Sequence, residues 1–188
     1  RLHVVHYPVR GGEWLNLVAI VHGDKPAHAE AWDAAGHSQA LMQAMGAVSG
    51  AVGRDLQERL ASVSAWRQWA LHDRAPLACA HEMAQGPVAL LGDAAHPMRP
   101  YLAQGAGMAI EDAQVLAQCL AHGAGRVPDR LQAYAEQRWA RNARVQARAI
   151  RNGQIFHAQG ALALGRNWGL RLGGERLMDL PWLYSGIL

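Results

Sequence analysis

The stretch that follows the apolar run Val88–Leu91 carries groups suited to holding a ligand. Asp93 comes just after this run, and a carboxylate at the end of a strand can accept hydrogen bonds from two hydroxyl groups, as a sugar or polyol would offer. Gly92 lets a ligand approach the backbone closely. Pro97 and Pro100 each fix a backbone torsion and stiffen the loop. The stretch therefore predicts a binding site for a ligand with a polyol part.

Small residues come next, at a predicted helix start in the sequence AQGAGMAIEDA. The first turn of a helix has unpaired N–H donors and carries roughly half a positive charge. Gly105, Ala106 and Gly107 leave these donors accessible, so an anionic or electron-rich group bound there is stabilised. Glu111 and Asp112 lie about two turns further on. We expect them to contact neighbouring protein groups or water rather than the ligand.

Single residues of this stretch also have simpler explanations. Asp93 alone could cap a helix or stabilise a turn. His96 alone is more often a structural hydrogen-bonding residue than a catalyst, and GAGMAI lacks the third glycine of a dinucleotide fingerprint. The order of the parts is what favours a ligand site, because strand, Gly-Asp, His-Pro, Pro, Gln-Gly and small-residue helix follow one another at tight spacing.

The elements that position this stretch are a strand before it and helices after it. The wholly apolar run before Gly92 predicts a strand covered on both faces. Residues 104–121 predict an alanine-rich helix, and 129–163 predict a long helix broken near Gly153 and Gly160. The apolar tail DLPWLYSGIL should dock on the body of the protein.

The part of the chain before residue 75 predicts strands and short helices. The predicted order is a strand pair at 2–9 and 14–21 around the turn sequence RGGE, a loop-like 22–36, helices at 38–47 and 51–61, and another strand within 65–74. Strands followed by helices, with one strand-loop-helix unit, predict an α/β or α+β fold. One hairpin cannot bury its own face, and the chain opens within a strand pattern without Met, so we expect a piece of a longer protein.

Composition excludes several classes of protein. The chain has 188 residues, of which 51% are hydrophobic, which predicts a globular domain rather than a disordered one. The formal charge of +3 suits a small anionic substrate and does not by itself indicate nucleic acid. Cys79 and Cys119 fit neither a disulfide framework nor a zinc spacing. We expect both to be small core residues of a cytoplasmic protein, with no metal site and no membrane span.

The whole motif, GDAAHPMRPYLAQGAGMAIEDAQVLA, closely resembles the second flavin-binding motif of FAD-dependent aromatic hydroxylases. These are class A flavoprotein monooxygenases, and they include salicylate and 3-hydroxybenzoate hydroxylase-like members. The resemblance implies that Asp93 binds the ribityl hydroxyls of FAD and that Gly92 lies beside the pyrophosphate. It also implies that the isoalloxazine is lined by Pro100 and by the backbone of Gln104, Gly105, Ala106, Gly107 and Met108. The helix start would then face N1 and the C2 carbonyl of the flavin.

The resemblance covers nearly the whole chain but only the C-terminal half of such an enzyme, because the GxGxxG unit and the middle Asp-Gly motif are not in this sequence. It implies the C-terminal part of a Rossmann-like FAD/NAD(P)-binding fold with long C-terminal helices. The implied segments are a partial substrate-binding domain with part of its β-sheet at 1–80, the second FAD-binding motif at 81–124 and a C-terminal helical region at 125–188.

The activity implied is hydroxylation of a small aromatic acid, such as salicylate or a hydroxybenzoate, in the catabolism of aromatic compounds. NADH or NADPH would reduce FAD, O2 would form a flavin C4a-hydroperoxide, and one oxygen atom would pass to the ring. The implied partners are this substrate and the missing N-terminal half of the same protein, with a homodimer left open. Neither nucleic acid nor membrane is expected as a partner. This fragment alone is expected to be inactive.

His3 and Tyr7 are the candidate catalytic residues. Their even separation puts both side chains on one face of a strand, whereas His6 points the other way. Taken alone, they would be explained as capping the edge of a sheet. In 3-hydroxybenzoate and 6-hydroxynicotinate hydroxylase-like members a His and a Tyr at this spacing lie over the flavin. The resemblance implies that they hydrogen-bond the phenol or carboxylate of the substrate, with His3 as general base. Pro100 stands where some members carry a substrate-contacting Gln, so the regiochemistry stays open.

A row of basic residues supports a rival hypothesis. Arginines recur at helical spacing at Arg138, Arg141, Arg144, Arg148 and Arg151. Such a row is usually a solvated helix face or an intramolecular salt-bridge row. The rival is a module that binds nucleic acid or an acidic partner, but no recognition motif accompanies the row. Two further alternatives are a flavin oxidoreductase of the epoxidase or halogenase type and a non-catalytic fragment whose basic helix mediates assembly.

Overall fold

The computed structural model describes residues 2–23, 34–36, 38–46, 50–174 and 179–185. The chain forms two compact units, Arg1–Leu71 and His72–Leu188, and each is described by itself. Helices and strands occur in both, which confirms the predicted mixed class.

The first unit opens with an antiparallel hairpin. Strands β1 (Leu2–Val9) and β2 (Trp14–Val21) pair with Val9 opposite Trp14, which confirms the predicted boundaries. The connection contains Gly11 at φ 68° and Gly12 at φ 99°. Glycine adopts these left-handed torsions without a Cβ clash, so RGGE closes the hairpin for a steric reason.

The rest of the first unit is a second, shorter strand pair and two helices. The elements are β3 (Ala34–Gly36), α1 (Ser38–Met45), α2 (Gly50–Ala61) and β4 (Trp66–Gln68), with β3 antiparallel to β4. Both predicted helices are confirmed, and they bury Leu41 and Leu60 respectively.

Two sequence-based expectations for this unit need correction. The segment 22–36 was expected to be loop throughout, but its last three residues form β3; residues 24–33 lie outside the described part. The strand expected within 65–74 is only three residues long. Both errors have one cause, since the pairing of β3 with β4 joins residues far apart in sequence, which local patterns do not reveal.

The second unit is dominated by helices. Its elements are β5 (Ala84–Gln85), β6 (Val88–Ala89), α3 (Gly105–His122), α4 (Val127–Phe156), α5 (Gly160–Gly173) and α6 (Pro181–Tyr184). In the described ranges no helix is both long and apolar enough to cross a bilayer.

The core of the second unit lies where α3 packs on α4. Val115 and Cys119 of α3 meet Leu131 and Tyr134 of α4, and Tyr134 is fully buried. These positions recur every three or four residues, so each helix presents one apolar stripe to the other. The start of α4 is fixed by Asp129, whose carboxylate accepts the Arg126 N–H at 2.9 Å.

The predicted strand at Val88–Leu91 is wrong in extent and in burial. Only the two residues of β6 are extended in a ladder, and they pair antiparallel with β5. Val88 keeps 60% of its surface exposed and Leu91 keeps 38%. Within the described residues β6 has one neighbouring strand, so the covering that an apolar run predicts is not supplied by this chain.

The long helix and the cysteines differ in part from expectation. Helix α4 starts at Val127 and runs through Gly153 without interruption, and the break comes at residues 157–159, before Gly160. Gly153 is tolerated because the ring of Tyr101 packs against its Cα and a side chain would collide with that ring. Cys119 is buried as expected, but Cys79 is exposed, and both are free thiols.

The close contact at Gly153 gives a test of the packing. A Cβ at this position would lie 2.6 Å from Cε2 of Tyr101. We expect Gly153→Ala to lower the free energy of unfolding by about 1–3 kcal/mol, because overpacking outweighs the gain in helix propensity. Denaturant unfolding followed by circular dichroism measures the change.

The matched control is Gly165→Ala in α5, where no atom lies within 4 Å of the added Cβ. It should leave stability unchanged or raise it by up to about 1 kcal/mol. Equal effects of the two substitutions would contradict the proposed contact.

Candidate functional site

The loop that begins at Gly92 packs directly on α3. Gly92 opens a single 3-10 turn, Gly92–Ala94, and has φ 56°. A Cβ there would lie 3.2 Å from Cβ of Ala109 on α3. Both the torsion and the close approach require glycine, so this residue sets the path of the chain into Asp93.

Helix α3 begins without a side-chain cap. Gln104 is the N-cap residue and makes no capping hydrogen bond with its side chain, and the first turn contains no acidic residue. The Met108 N–H donates to the Gln104 carbonyl at 2.9 Å, which is the first bond of the helix. The N–H groups of Gly105, Ala106 and Gly107 therefore have no acceptor within the helix and can serve a ligand.

The Asp93 carboxylate lies beside this helix start. Its Oδ1 is 3.8 Å from the position that a Cβ on Gly105 would take. The side chain is exposed, and it makes no hydrogen bond or ion pair with any residue in the described ranges. An unpaired acceptor and a set of unpaired donors thus lie side by side, where they can bind hydroxyl groups and an electron-rich group of one ligand.

Beyond Asp93 the loop is anchored at several points. Pro100 starts a second 3-10 turn, Pro100–Leu102, within which Tyr101 is buried. Arg99 Nε donates to Asp73 Oδ2 at 2.6 Å. The side-chain amides of Gln146 and Asn152, both buried on α4, donate to the carbonyls of Pro97 at 3.3 Å and Tyr101 at 3.4 Å.

A buried carboxylate, Asp112 of α3, holds the start of the loop. Its Oδ2 accepts the Gly92 N–H at 3.1 Å and the His96 Nε2–H at 2.5 Å. Its Oδ1 accepts Arg138 Nε at 2.7 Å and Asn142 Nδ2 at 2.9 Å. Asp112, His96, Arg138 and Asn142 are all fully buried. We call these four side chains the Asp112 network; it joins α3, α4 and the loop.

The electrostatics of the network keep Asp112 ionised. Burial alone would raise the pKa of Asp112, but the hydrogen bonds from His96, Asn142, Arg138 and the Gly92 N–H outweigh this and lower it from 3.8 to about 2. Since an ionised carboxylate only accepts, His96 donates through Nε2.

Two arginines of the predicted basic row are paired inside the molecule. Arg138 is fully buried and contacts both Asp112 and Glu111. Arg141 grips Glu111 with two N–H groups, at 2.7 and 2.8 Å, and hydrogen bonds to Arg141 lower the pKa of Glu111. The expectation of an intramolecular salt-bridge row is thereby confirmed for these residues, as are protein contacts for Glu111 and Asp112.

Arg141 also fixes the tail. It donates to the carbonyls of Trp182 at 3.1 Å and Leu183 at 2.9 Å, and Leu183 is buried against Met108 and Val145. The predicted docking of the tail is confirmed for residues 179–185; the remaining residues of DLPWLYSGIL lie outside the described part.

The predicted site residues fall into two groups. Gly92, Asp93, Pro100 and residues 104–108 come together in the second unit, whereas His3 and Tyr7 belong to the first. His3 is half-buried and Tyr7 is 48% exposed, both on one face of β1. The roles assigned to these residues stay predictions.

Three residues have contacts that sequence reasoning did not foresee. The N–H of Gly92 is directed to Asp112 rather than outward, and Met108 buries its side chain and uses its N–H within α3. His96 is the structural hydrogen-bonding residue that its simpler explanation predicts. In the part of the chain that the structure describes, no group of His, Cys, Asp or Glu is arranged to hold a metal.

The comparison with known proteins follows from this geometry. A profile of the family described as FAD binding domain matches residues 26–149, about two-thirds of the chain. The chain belongs to the FAD-binding domain family. FAD is the cofactor of this family, and the match includes the loop, α3 and most of α4.

Curated relatives share similarity over nearly all of this FAD-binding domain chain. It is 36% identical to 3-hydroxybenzoate 6-hydroxylase of Polaromonas naphthalenivorans over 97% of this chain and 44% of that protein. It is 32% identical to salicylate hydroxylase of Pseudomonas putida over 97% of this chain and 42% of that protein. The chain thus spans less than half the length of these relatives.

A solved structure confirms the fold. The substrate complex of salicylate hydroxylase superposes with a TM-score of 0.71 at 25% identity, covering 98% of this chain and 45% of that one. A structure of HpxO of Klebsiella pneumoniae with FAD and uric acid gives a TM-score of 0.69 at 24% identity. The expected C-terminal part of an FAD-binding fold is confirmed.

The Asp112 network predicts a pH-dependent contribution to stability. Because the folded-state pKa of Asp112, about 2, is below its ordinary 3.8, its stabilisation is complete above about pH 4 and is lost as the pH falls towards 2. The shift corresponds to about 2 kcal/mol. Asp112→Asn should remove this acid-dependent component. At neutral pH it should lower the free energy of unfolding by about 3–5 kcal/mol, because Arg138 is left buried without its anion.

Denaturant unfolding from pH 2 to pH 7 measures both effects. The control is Asp55→Asn, which removes an exposed ion pair with Arg59 and should change stability little. A variant Asp112→Asn as stable as the parent at pH 7 would contradict the role given to the network.

Proposed function

We propose that this chain is the C-terminal part of an FAD-dependent monooxygenase that hydroxylates a small aromatic acid of the salicylate or hydroxybenzoate type, with NADH or NADPH and O2. One observation carries the proposal: the unpaired Asp93 carboxylate lies beside the uncapped start of α3. The hydroxylases named above support it, because they are similar to this chain over 97% of its length.

The residues present fit the chemistry of FAD. The ribityl chain offers hydroxyl groups that an ionised carboxylate such as Asp93 accepts well. The pyrimidine edge of the flavin is electron-rich, and it gains negative charge on reduction, so the N–H groups and dipole of α3 stabilise it. The glycines leave room, since a Cβ on Gly105 would fill space next to Asp93 and Met98.

Each part of the chain has a role in this proposal. Asp93 holds the ribityl chain, and Pro100 and the backbone of residues 104–108 line the ring. When bound, FAD supplies the activation of oxygen, and the protein orients the cofactor and excludes water. The Asp112 network does not touch the ligand in this scheme; it fixes the loop from behind.

The substrate would be held by His3 and Tyr7. A His on this strand can accept the phenolic proton and so raise the electron density of the ring that is attacked. Tyr7, two pleats along the same face, would hydrogen-bond the substrate. Supporting the pair is its position on one face of β1, where His6 points away.

The whole protein would include an N-terminal FAD-binding half. The relatives are more than twice as long as this chain. The exposed side chains of Val88, Leu90 and Leu91 are apolar, and such a half could cover them. We place the protein in the cytoplasm, where its two thiols would stay reduced. A homodimer is compatible with the proposal.

Two alternatives remain for the test. A flavin oxidoreductase of the epoxidase or halogenase type would use the same loop, and the pair His3 and Tyr7 favours the hydroxylase. An assembly role for the basic helix is less favoured, because Arg138 and Arg141 are already paired within the chain.

The first prediction concerns the cofactor. In the complete protein, Asp93→Asn should weaken FAD binding by about ten- to hundredfold, since hydrogen bonds to a charged acceptor are lost. Quenching of flavin fluorescence measures the affinity. Glu136→Gln, on the exposed face of α4, is the control and should leave the affinity unchanged. The 188-residue chain by itself should purify colourless; tight stoichiometric FAD would show that the N-terminal half is not needed.

The second prediction concerns catalysis. His3→Ala in the complete protein should lower kcat for hydroxylation by about a hundredfold or more while FAD affinity stays the same, because a general base contributes on this scale. His6→Ala, on the opposite face of the same strand, is the matched control and should keep the parental rate. The assay compares NADH or NADPH consumption with product formation over a panel of phenolic acids. Hydroxylation that is insensitive to His3→Ala would refute the assignment, and consumption without any hydroxylated product would refute the class.

A further inference from the structure

A second candidate site lies away from the cofactor loop, between α4 and α6. It is a cleft of about 370 Å³, within the size range of small-molecule sites. Its walls are formed by Ala140, Arg141, Arg144, Trp182 and Ser185. The small side chain of Ala140 leaves space between the two arginines. The cleft is therefore basic on one side and aromatic on the other.

Arg141 forms a rigid wall of the cleft. Four of its five N–H groups are used, two by Glu111 and two by the carbonyls of Trp182 and Leu183. Its charge is balanced by Glu111, and one N–H remains for a ligand. Because these bonds also fix Trp182, the aromatic wall is held in position.

Arg144 is placed differently. Its guanidinium carbon lies 4.0 Å from the centre of the Trp182 ring. Stacking of this kind fixes the plane of the guanidinium and leaves its N–H edge open. Among the described residues no carboxylate or other hydrogen-bond acceptor pairs with Arg144. A fixed fork of donors with an open edge is the arrangement that binds an oxyanion through two parallel hydrogen bonds.

The charge of α4 becomes unbalanced towards its C-terminal half. Arg138 and Arg141 are matched by Asp112 and Glu111. Arg148, one turn beyond Arg144, has a buried Nε with no hydrogen-bond partner in the described ranges. Such a local excess of positive charge attracts anions.

We propose that this cleft binds a small oxyanion, a carboxylate or a phosphate, through the open edge of Arg144 and the remaining N–H of Arg141. Trp182 holds Arg144 in place and gives an apolar surface for the body of an organic acid. The site is separate from the cofactor loop, and it does not depend on the function proposed above. The volume admits either inorganic phosphate or an aromatic acid of the size of benzoate.

The test uses the 188-residue chain at low ionic strength, with inorganic phosphate and benzoate as separate probes. Two-dimensional 1H–15N NMR follows the indole N–H of Trp182, which is assigned by its loss in Trp182→Phe. We expect saturable binding of at least one probe with a dissociation constant of about 1–10 mM or below. Saturation by phosphate alone or by benzoate alone identifies the type of ligand. Salt should weaken binding.

Variants of matched charge decide where the anion binds. Arg144→Gln should weaken binding at least tenfold, and Arg144→Lys, which keeps the charge without the fork, should also weaken it. Arg151→Gln removes the same charge from an exposed position outside the cleft and should change the affinity less than about twofold. Equal losses in Arg144→Gln and Arg151→Gln, or no saturable shift of the Trp182 signal with either probe, would overturn the proposal. Thermal unfolding confirms that each variant is folded.

Discussion

The buried carboxylate of Asp112 is the contact on which the arrangement of the second unit depends. Its two oxygens accept hydrogen bonds from Gly92, His96, Arg138 and Asn142, so one side chain of α3 fixes both the neighbouring helix and the loop. A charge in such a position is unfavourable unless every acceptor site is filled. Here each oxygen has two donors, and this satisfaction explains how polar groups can occupy the centre of an otherwise apolar helix pair.

Rigidity behind the loop has its counterpart in openness in front of it. Asp93 and the first N–H groups of α3 lack protein partners in the described ranges, although both are strong hydrogen-bonding groups. The network behind holds them in this state by fixing Gly92 on one side and His96 on the other. A site prepared in this way loses little freedom when a cofactor binds, which favours affinity.

Sequence reasoning succeeded where the signal was local. The hairpin, the helices and the small-residue helix start follow from turn chemistry and periodicity, and the motif itself resembled that of a known flavoprotein family. It failed where partners are distant in sequence, as for the strand pair β3 and β4 and for the exposed run at Val88. Arg138 was grouped with a basic row, although it also falls on the buried stripe Leu131, Tyr134, Ala135, Asn142 and Val145. A polar residue at apolar spacing was the available signal for the network, because only a buried partner makes it tolerable.

The two amides of α4 that grip the loop have a consequence for its length. Gln146 holds the carbonyl of Pro97 and Asn152 holds that of Tyr101, six residues or about 9 Å apart along the helix. A helix is a ruler of fixed pitch, so the backbone between these two carbonyls must match that interval. Insertions and deletions should therefore be rare between the His-Pro step and the buried tyrosine in related chains, even where the amino acids themselves vary.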